Sequence, residues 1–309
     1  MVPITPEESL DLGHACLELA GFLSYFALFG ALGFYFFVLR RTPGLHPSAP
    51  GPYATVFAVS ERRASGVGLA GAVLFLFLFA VNVMNNRDHL PVLEALRNGG
   101  LRSLIPLVAG VLLLLAFSLS RLPGAWPGAW GLGGLAGIAL ALRNVVTGRW
   151  TAMVNPLHEV AASLWIGSLF VLLIAGLPAI LRSSVPPDRR GPLLADLVAR
   201  FSSLALGAAA LLGVTGAVTA WRHLKYVAAL WTTPYGYAFD LKMLFVLIVV
   251  ALGAWNWRRM RPRLPLDLEG EGAVEALRRS AKRELLFAAV VLVITAVLVS
   301  LPAPQLPAP

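Results

Sequence analysis

Four of the five histidines lie near the ends of long apolar segments: His14, His89, His158 and His223. Sulfur-bearing side chains lie close to them in the chain: Cys16, Met84, Met153 and Met243. Imidazole, thiolate and thioether ligands together suit copper, above all Cu(I). The sequence holds no Met-x-x-Met pair and no His-rich tract. Interfacial histidines and core-filling methionines therefore remain an open alternative to a metal site.

Ionisable residues within or beside the apolar segments are the second chemical signal. Lys242 and Asp240 lie two residues apart, so they do not face each other on a helix. Each needs a partner on another segment, or Lys242 extends to the lipid headgroups. Three side chains would orient a metal ligand without binding the metal themselves: Glu159, Asp240 and Asn155. Trp165 follows His158 by two helical turns and would cover a site there.

Composition determines which elements position these residues. The chain is 58% hydrophobic and 13% charged, with a mean hydropathy of +0.75. A bilayer core needs about 20 apolar residues per helix, and lipid satisfies no unpaired backbone group. The sequence therefore predicts an all-α polytopic membrane bundle in contact with lipid. Its eight spans are Leu17–Leu39, Val67–Met84, Leu104–Leu119, Ala129–Leu142, Leu157–Leu181, Leu204–Trp221, Phe239–Trp257 and Leu285–Leu301.

Basic residues orient these spans. Loops after odd-numbered spans hold 17 Lys and Arg residues, whereas the opposite side holds 7 and Lys242 lies within a span. The positive-inside rule places the first set in the cytoplasm and both termini outside. His14, His89, His158 and His223 then share the outer face, and His46 is cytoplasmic. The net charge of +9 reflects this orientation, and we predict no nucleic-acid binding.

Domain organisation is predicted to be one integral membrane domain over 1–309, in halves 1–150 and 151–309. His14 and His158 open the first and fifth spans. Arg63-Ala64-Ser65 and Arg200-Phe201-Ser202 lead into the second and sixth. Since four spans return the chain to its starting side, the halves would be parallel repeats.

Several function classes lack their motifs. The sequence has no Walker A loop, G-x-S-x-G, H-E-x-x-H or EF-hand loop. We therefore expect neither an ATP-driven pump nor a hydrolase, and more generally no enzyme. The single cysteine excludes an intrachain disulfide. The N-terminus is acidic and lacks a basic n-region, so the first span is expected to be retained.

The second half resembles the copper resistance D (CopD) family of bacterial inner-membrane proteins over about 155–264. The matching elements are His158-x6-Trp165-x-Gly167, Arg200-Phe201-Ser202, Thr215-Gly216, Thr233-Pro234-Tyr235-Gly236, Leu241-Lys242 and Asn256. The resemblance implies an eight-span inner-membrane bundle that handles copper, usually as an importer from the periplasm. It implies His14 and His158 as ligands, and it fits a periplasmic copper carrier as a partner.

A second resemblance shares some of these residues. His158…Trp165 and Leu241-Lys242 are similar to the membrane protoporphyrinogen oxidase (HemJ-like) family. This resemblance implies a haem b group held by two of His14, His158 and Lys242, in a redox or electron-transfer protein. A third reading is an accessory subunit of a larger membrane complex that binds no metal.

Overall fold

The computed structural model describes residues 12–85, 101–122, 126, 128–147, 149–223, 228–260 and 272–301. Within these ranges the regular structure is entirely helical, with no strand. Eight main helices follow one another: α1 Leu12–Arg41, α2 Pro52–Asn85, α3 Leu101–Leu119, α4 Ala129–Ala141, α5 Trp150–Leu181, α6 Pro187–His223, α7 Pro234–Trp255 and α8 Gly272–Ser300. A π-helical turn, Asn256–Met260, continues α7.

Six of these helices are long and apolar enough to cross a bilayer, namely α1, α2, α5, α6, α7 and α8. Helices α3 and α4 correspond to the shorter apolar segments Leu104–Leu119 and Ala129–Val145. Each of the eight predicted spans therefore coincides with a helix, and two of them are short. The predicted all-α polytopic membrane bundle is confirmed.

The predicted boundaries are wrong where helices continue past the apolar run. Helix α2 begins at Pro52, so Arg62 and Arg63 are helical rather than in a loop. Helices α6 and α8 likewise begin well before their predicted spans. Arg and Lys are good helix formers, so a helix can continue from lipid into water without a break. The apolar run therefore indicates the part of the helix that lies in the bilayer, and not the residues at which the helix begins and ends.

Helices α1 and α5 lie at the centre of the bundle and approach each other closely. A side chain on Gly30 would collide with the backbone of Gly167, and one on Gly167 would collide with Phe26. Small residues at such a crossing let two membrane helices pack backbone to backbone. Gly167 of the His-x6-Trp-x-Gly element therefore fixes the position of α5, on which His158 and Trp165 lie.

The other helices pack around this pair. Helix α2 packs against α1 and α3, α4 packs against α3, and α8 packs against α1 and α7. Helix α6 packs against α5. Among the described residues, α6 and α7 share no extended contact. The second half is therefore open between these two helices, with α5 behind the opening.

The first half is closed by aromatic packing. Tyr35 of α1 stacks on Trp130 of α4 with ring centroids 3.9 Å apart, and Phe117 of α3 meets the same indole edge-on. Ser65 of α2 donates a hydrogen bond to the carbonyl oxygen of Phe117 over 2.7 Å. These contacts join the first four helices.

Exposed aromatic residues lie at both ends of the bundle, at Trp150, Trp221 and Trp231 on one end and Trp126, Trp255 and Trp257 on the other. Tryptophan is enriched at membrane interfaces because its ring is amphipathic. The lateral surface between these residues is rich in exposed leucine, valine and phenylalanine. Such an apolar surface is stable when it contacts lipid. The relation of the two halves as repeats stays a prediction.

Candidate functional site

A cavity of about 420 Å³ lies in the open second half, bounded by α5, α6, α7 and α8 with α1 behind. We call it the His158 cavity. Its lining is mostly apolar, and its polar side chains include His158, Lys242, Tyr235 and Thr295. Met243 also lines it. A few polar groups in an apolar concavity of this size are typical of a ligand site.

The imidazole of His158 is held by α6. Its Nδ1 lies 3.1 Å from the Thr215 hydroxyl oxygen. That hydroxyl donates its own hydrogen to the Leu211 carbonyl oxygen over 2.7 Å. Because a carbonyl can only accept, a Thr215 hydroxyl that donates to Leu211 accepts in turn from Nδ1–H. We infer from this network that the neutral ring carries its proton on Nδ1 and keeps the Nε2 lone pair for a ligand.

Gly216 makes room for this ring. A methyl group at position 216 would lie 3.1 Å from His158 Cε1. This spacing is tighter than ordinary van der Waals contact, so a larger residue would displace the imidazole. The Thr215-Gly216 pair therefore has two functions: the hydroxyl fixes the ring tautomer and the glycine admits the ring.

Lys242 places a cationic side chain in the same cavity. Within the described residues, no carboxylate lies at ion-pair distance from its ammonium group. Charged residues inside a membrane bundle are costly unless paired or functional. An ammonium group would also repel a metal cation bound at His158, and this lowers the affinity of the site.

An ion pair lies beside the cavity. Arg143 Nη2 lies 3.5 Å from Glu159 Oε2, and Glu159 lines the cavity. The Arg143 guanidinium also lies over the Tyr25 ring, 5.5 Å from its centroid. These contacts link α1, α5 and the turn after α4. They also balance the charge of Glu159, so this carboxylate is already engaged.

A second cavity of about 330 Å³ lies further along the bundle axis. We call it the Glu284 cavity. Glu284 of α8 is 3% exposed and accepts a hydrogen bond from Asn256 Nδ2 over 3.2 Å. The Trp165 indole contacts the same carboxylate. Trp165, Ala209 and Val250 line both cavities, so they form the boundary between them.

The structure brings together only part of the predicted site. His158, Lys242, Glu159 and Trp165 line one cavity. His14 is half exposed at the start of α1, with Nε2 3.8 Å from Glu18. Cys16, Met84, Asn155 and Asp240 are exposed, and Met153 is partly buried. His89 and the His223 side chain lie outside the described residues.

The predicted cluster of ligands does not form a metal cage in the described part of the chain. No group of three or more His, Cys, Asp or Glu residues there could hold a metal ion. The donors that line one cavity are His158 and Met243. Imidazole with thioether suits a soft ion of low coordination number such as Cu(I).

Sequence reasoning did not assign three features of this site. Thr215 was recognised only as part of a family element, and its contact with His158 spans 57 positions in the chain. The partner of Glu159, Arg143, was counted only as a loop charge. Glu284 was visible as an acidic residue at the start of an apolar run, which is a usable signal.

The comparisons with known proteins bear on the second half of the chain. Residues 195–298 match the model of the family described as "Copper resistance protein D". The matched segment contains Thr215, Lys242, Asn256 and Glu284, whereas His158 precedes it.

No curated protein and no solved structure matches the chain. The resemblance to the HemJ-like family is not shown by these comparisons. Over residues 195–298 the chain is therefore similar to the copper resistance protein D family, and its long apolar helices are those of a membrane protein.

Proposed function

We propose that this protein carries copper, as Cu(I), across the bacterial inner membrane from the periplasm toward the cytoplasm. The observation that supports this most directly is the geometry of His158. Its Nδ1–H is held by Thr215, and its Nε2 is left for a ligand in a membrane cavity that Met243 also lines. The family match of residues 195–298 supports copper as the cargo.

The composition of the His158 cavity favours transport over storage. Two soft donors line the cavity that a copper ion would enter, whereas the Lys242 ammonium group would weaken its binding. A conducted ion must bind well enough to enter and weakly enough to leave. A storage site would instead need a full set of ligands. We therefore propose a transient copper site at His158.

Access to this site is proposed from the periplasmic side. The basic residues near the Glu284 end orient that end toward the cytoplasm. His14 and Cys16 are exposed at the opposite end of α1. We propose His14 as an entry ligand that receives copper before His158, delivered there by a periplasmic copper carrier. Both termini are then periplasmic.

The two cavities provide a route along the bundle. They share Trp165, Ala209 and Val250, so a copper ion that leaves His158 reaches the Glu284 cavity by passing this boundary. Trp165 is 7% exposed and is the largest of the three side chains. We propose that its indole limits the passage and that a rotation of this side chain opens it.

Copper uptake by purified protein in liposomes tests the proposal. Vesicles that contain a Cu(I)-specific chromophoric chelator report the ion as it enters. We expect uptake above that of empty vesicles, and at least a tenfold loss in His158→Ala, because this variant lacks the central donor. Met243→Leu should lose less, since one imidazole remains.

Two matched substitutions control for the loss of a side chain. His46→Ala removes an exposed histidine distant in sequence from the cavity lining, and Met84→Leu removes a methionine that is 62% exposed. Both variants should transport as the unaltered protein does. Equal uptake by His158→Ala and His46→Ala would contradict the proposal.

A further inference from the structure

We propose that Glu284 is a proton-binding residue that takes up and releases a proton at the end of the bundle opposite His158. Its role in transport rests on the proposed function, whereas its proton binding is a property of the site alone. No family element or motif in the sequence assigns it this role. The ligand is the proton, exchanged with water at the mouth of the Glu284 cavity.

The first argument is burial without a countercharge. Glu284 is 3% exposed, and its partners are the neutral groups of Asn256 and Trp165. Within the described ranges, no Lys, Arg or His lies at ion-pair distance from it. A carboxylate buried with neutral partners is stabilised when it is protonated, because the neutral acid costs less to bury. Glu159 differs, since Arg143 pairs with it.

The second argument is the amide of Asn256. Its Nδ2 donates to Glu284 Oε2 over 3.2 Å, which suits the carboxylate. Its Oδ1 is buried and, among the residues that the structure describes, has no hydrogen-bond partner. If the amide rotates by half a turn, Oδ1 faces Glu284 and can accept from the protonated acid. One side chain therefore serves both protonation states, which a purely structural partner does not require.

The charged groups around the Glu284 cavity do not pair with the Glu284 carboxyl group in the described part of the chain. Arg258 of the π-helical turn after α7 is the other ionisable residue that lines the cavity, and it is exposed. On α8 itself, Lys282 and Arg283 are exposed. Helix α5 contributes Trp165 and apolar side chains, and α6 contributes Ser202 as its polar group. The basic residues thus lie toward water, while the carboxylate lies deeper.

The Glu284 cavity connects the Glu284 carboxyl group to water, and this connection is the route of the proton. Arg258 and Trp257 are exposed and line the cavity, so water reaches it from this end of the bundle. The proton passes from water to a Glu284 oxygen lone pair and returns by the same path, with no change of oxidation state. Trp165 lies between this exchange and His158. Proton and copper therefore occupy separate positions along one route.

Infrared difference spectroscopy of the purified protein tests the proposal without copper. A change from alkaline to acidic buffer should produce the carbonyl band of a buried carboxylic acid. We expect Glu284→Gln to lack that band completely. Glu275→Gln is the matched control, because Glu275 lies on the same helix but is exposed and close to Arg278. It should retain the band in full.

Asn256→Leu provides a second readout that keeps the carboxyl group. This variant should retain the band but shift it to higher frequency, because the acid loses its hydrogen-bond acceptor. An identical band in the unaltered protein and in Glu284→Gln would overturn the proposal, and so would an unshifted band in Asn256→Leu. Failure of copper uptake would leave these spectra unchanged, so the two proposals fail separately.

Discussion

The two cavities of the second half lie next to each other but differ in chemistry. The His158 cavity offers nitrogen and sulfur donors, namely His158 and Met243. The Glu284 cavity offers oxygen groups at its polar end, where Asn256 faces a buried carboxylate. Soft donors select copper, whereas a buried carboxylate selects protons. We therefore propose that the two cavities, as the two ends of one route, handle different ions.

The largest effect is expected from a substitution at the boundary between the two cavities. Trp165→Ala should reduce the free energy of unfolding by about 3 kcal/mol, because a large buried side chain is removed from a packed core. It should also join the two cavities. Thermal unfolding in detergent measures the first effect. Trp231→Ala, at a side chain that is 58% exposed, is the control and should change stability little. Equal losses in both variants would contradict the role of Trp165.

The tautomer of His158 can be changed without removing the ring. Thr215→Val keeps the shape of the side chain but removes the acceptor for Nδ1–H. Loss of such an orienting partner typically weakens metal binding by about 10–100-fold. Competition with a Cu(I) chelator measures the change.

Thr295→Val is the control for this change. Thr295 lines the same cavity and makes the same type of hydrogen bond to its own helix, to the Val291 carbonyl oxygen over 2.7 Å. The control should bind copper as the unaltered protein does. If Thr295→Val weakens binding as much as Thr215→Val, the loss arises from the hydroxyl content of the cavity and not from the His158 tautomer.

Labelling of a cysteine tests the proposal that the His158 end of the bundle faces the periplasm, and it requires no change in the stability of the protein. Cys16 is the single cysteine of the chain and is exposed at the start of α1. A membrane-impermeant maleimide should label it in spheroplasts that are still intact. Cys16→Ser with Ser48→Cys moves the thiol toward the other end of α1, and this variant should be labelled only after lysis. The reverse pattern would invert the proposed direction of copper transport.

The sequence was sufficient to predict the bundle, because apolar composition and helix formation in lipid are directly linked. It also predicted that His158 and Trp165 share a face, and both line one cavity. The ends of the helices were predicted less well, because polar residues extend helices such as α2 beyond the apolar run.

Contacts between distant segments could not be predicted from one sequence. The pairing of His158 with Thr215 and that of Asn256 with Glu284 both depend on how helices pack side by side. Spacing along a single helix carries no information about these neighbours. The assignment of His14 and His158 to one site relied on a shared membrane face, and it stays a prediction; His14 lies half exposed at its end of α1.

Copper analysis with an absorption spectrum of the purified protein tests the central claim most directly. At equilibrium with free Cu(I), the unaltered protein and Glu284→Gln should both bind copper reversibly, and His158→Ala should bind much less. No variant should show a Soret band. Copper retained in full by His158→Ala would contradict the account. A Soret band that disappears in this variant would show instead that His158 binds haem.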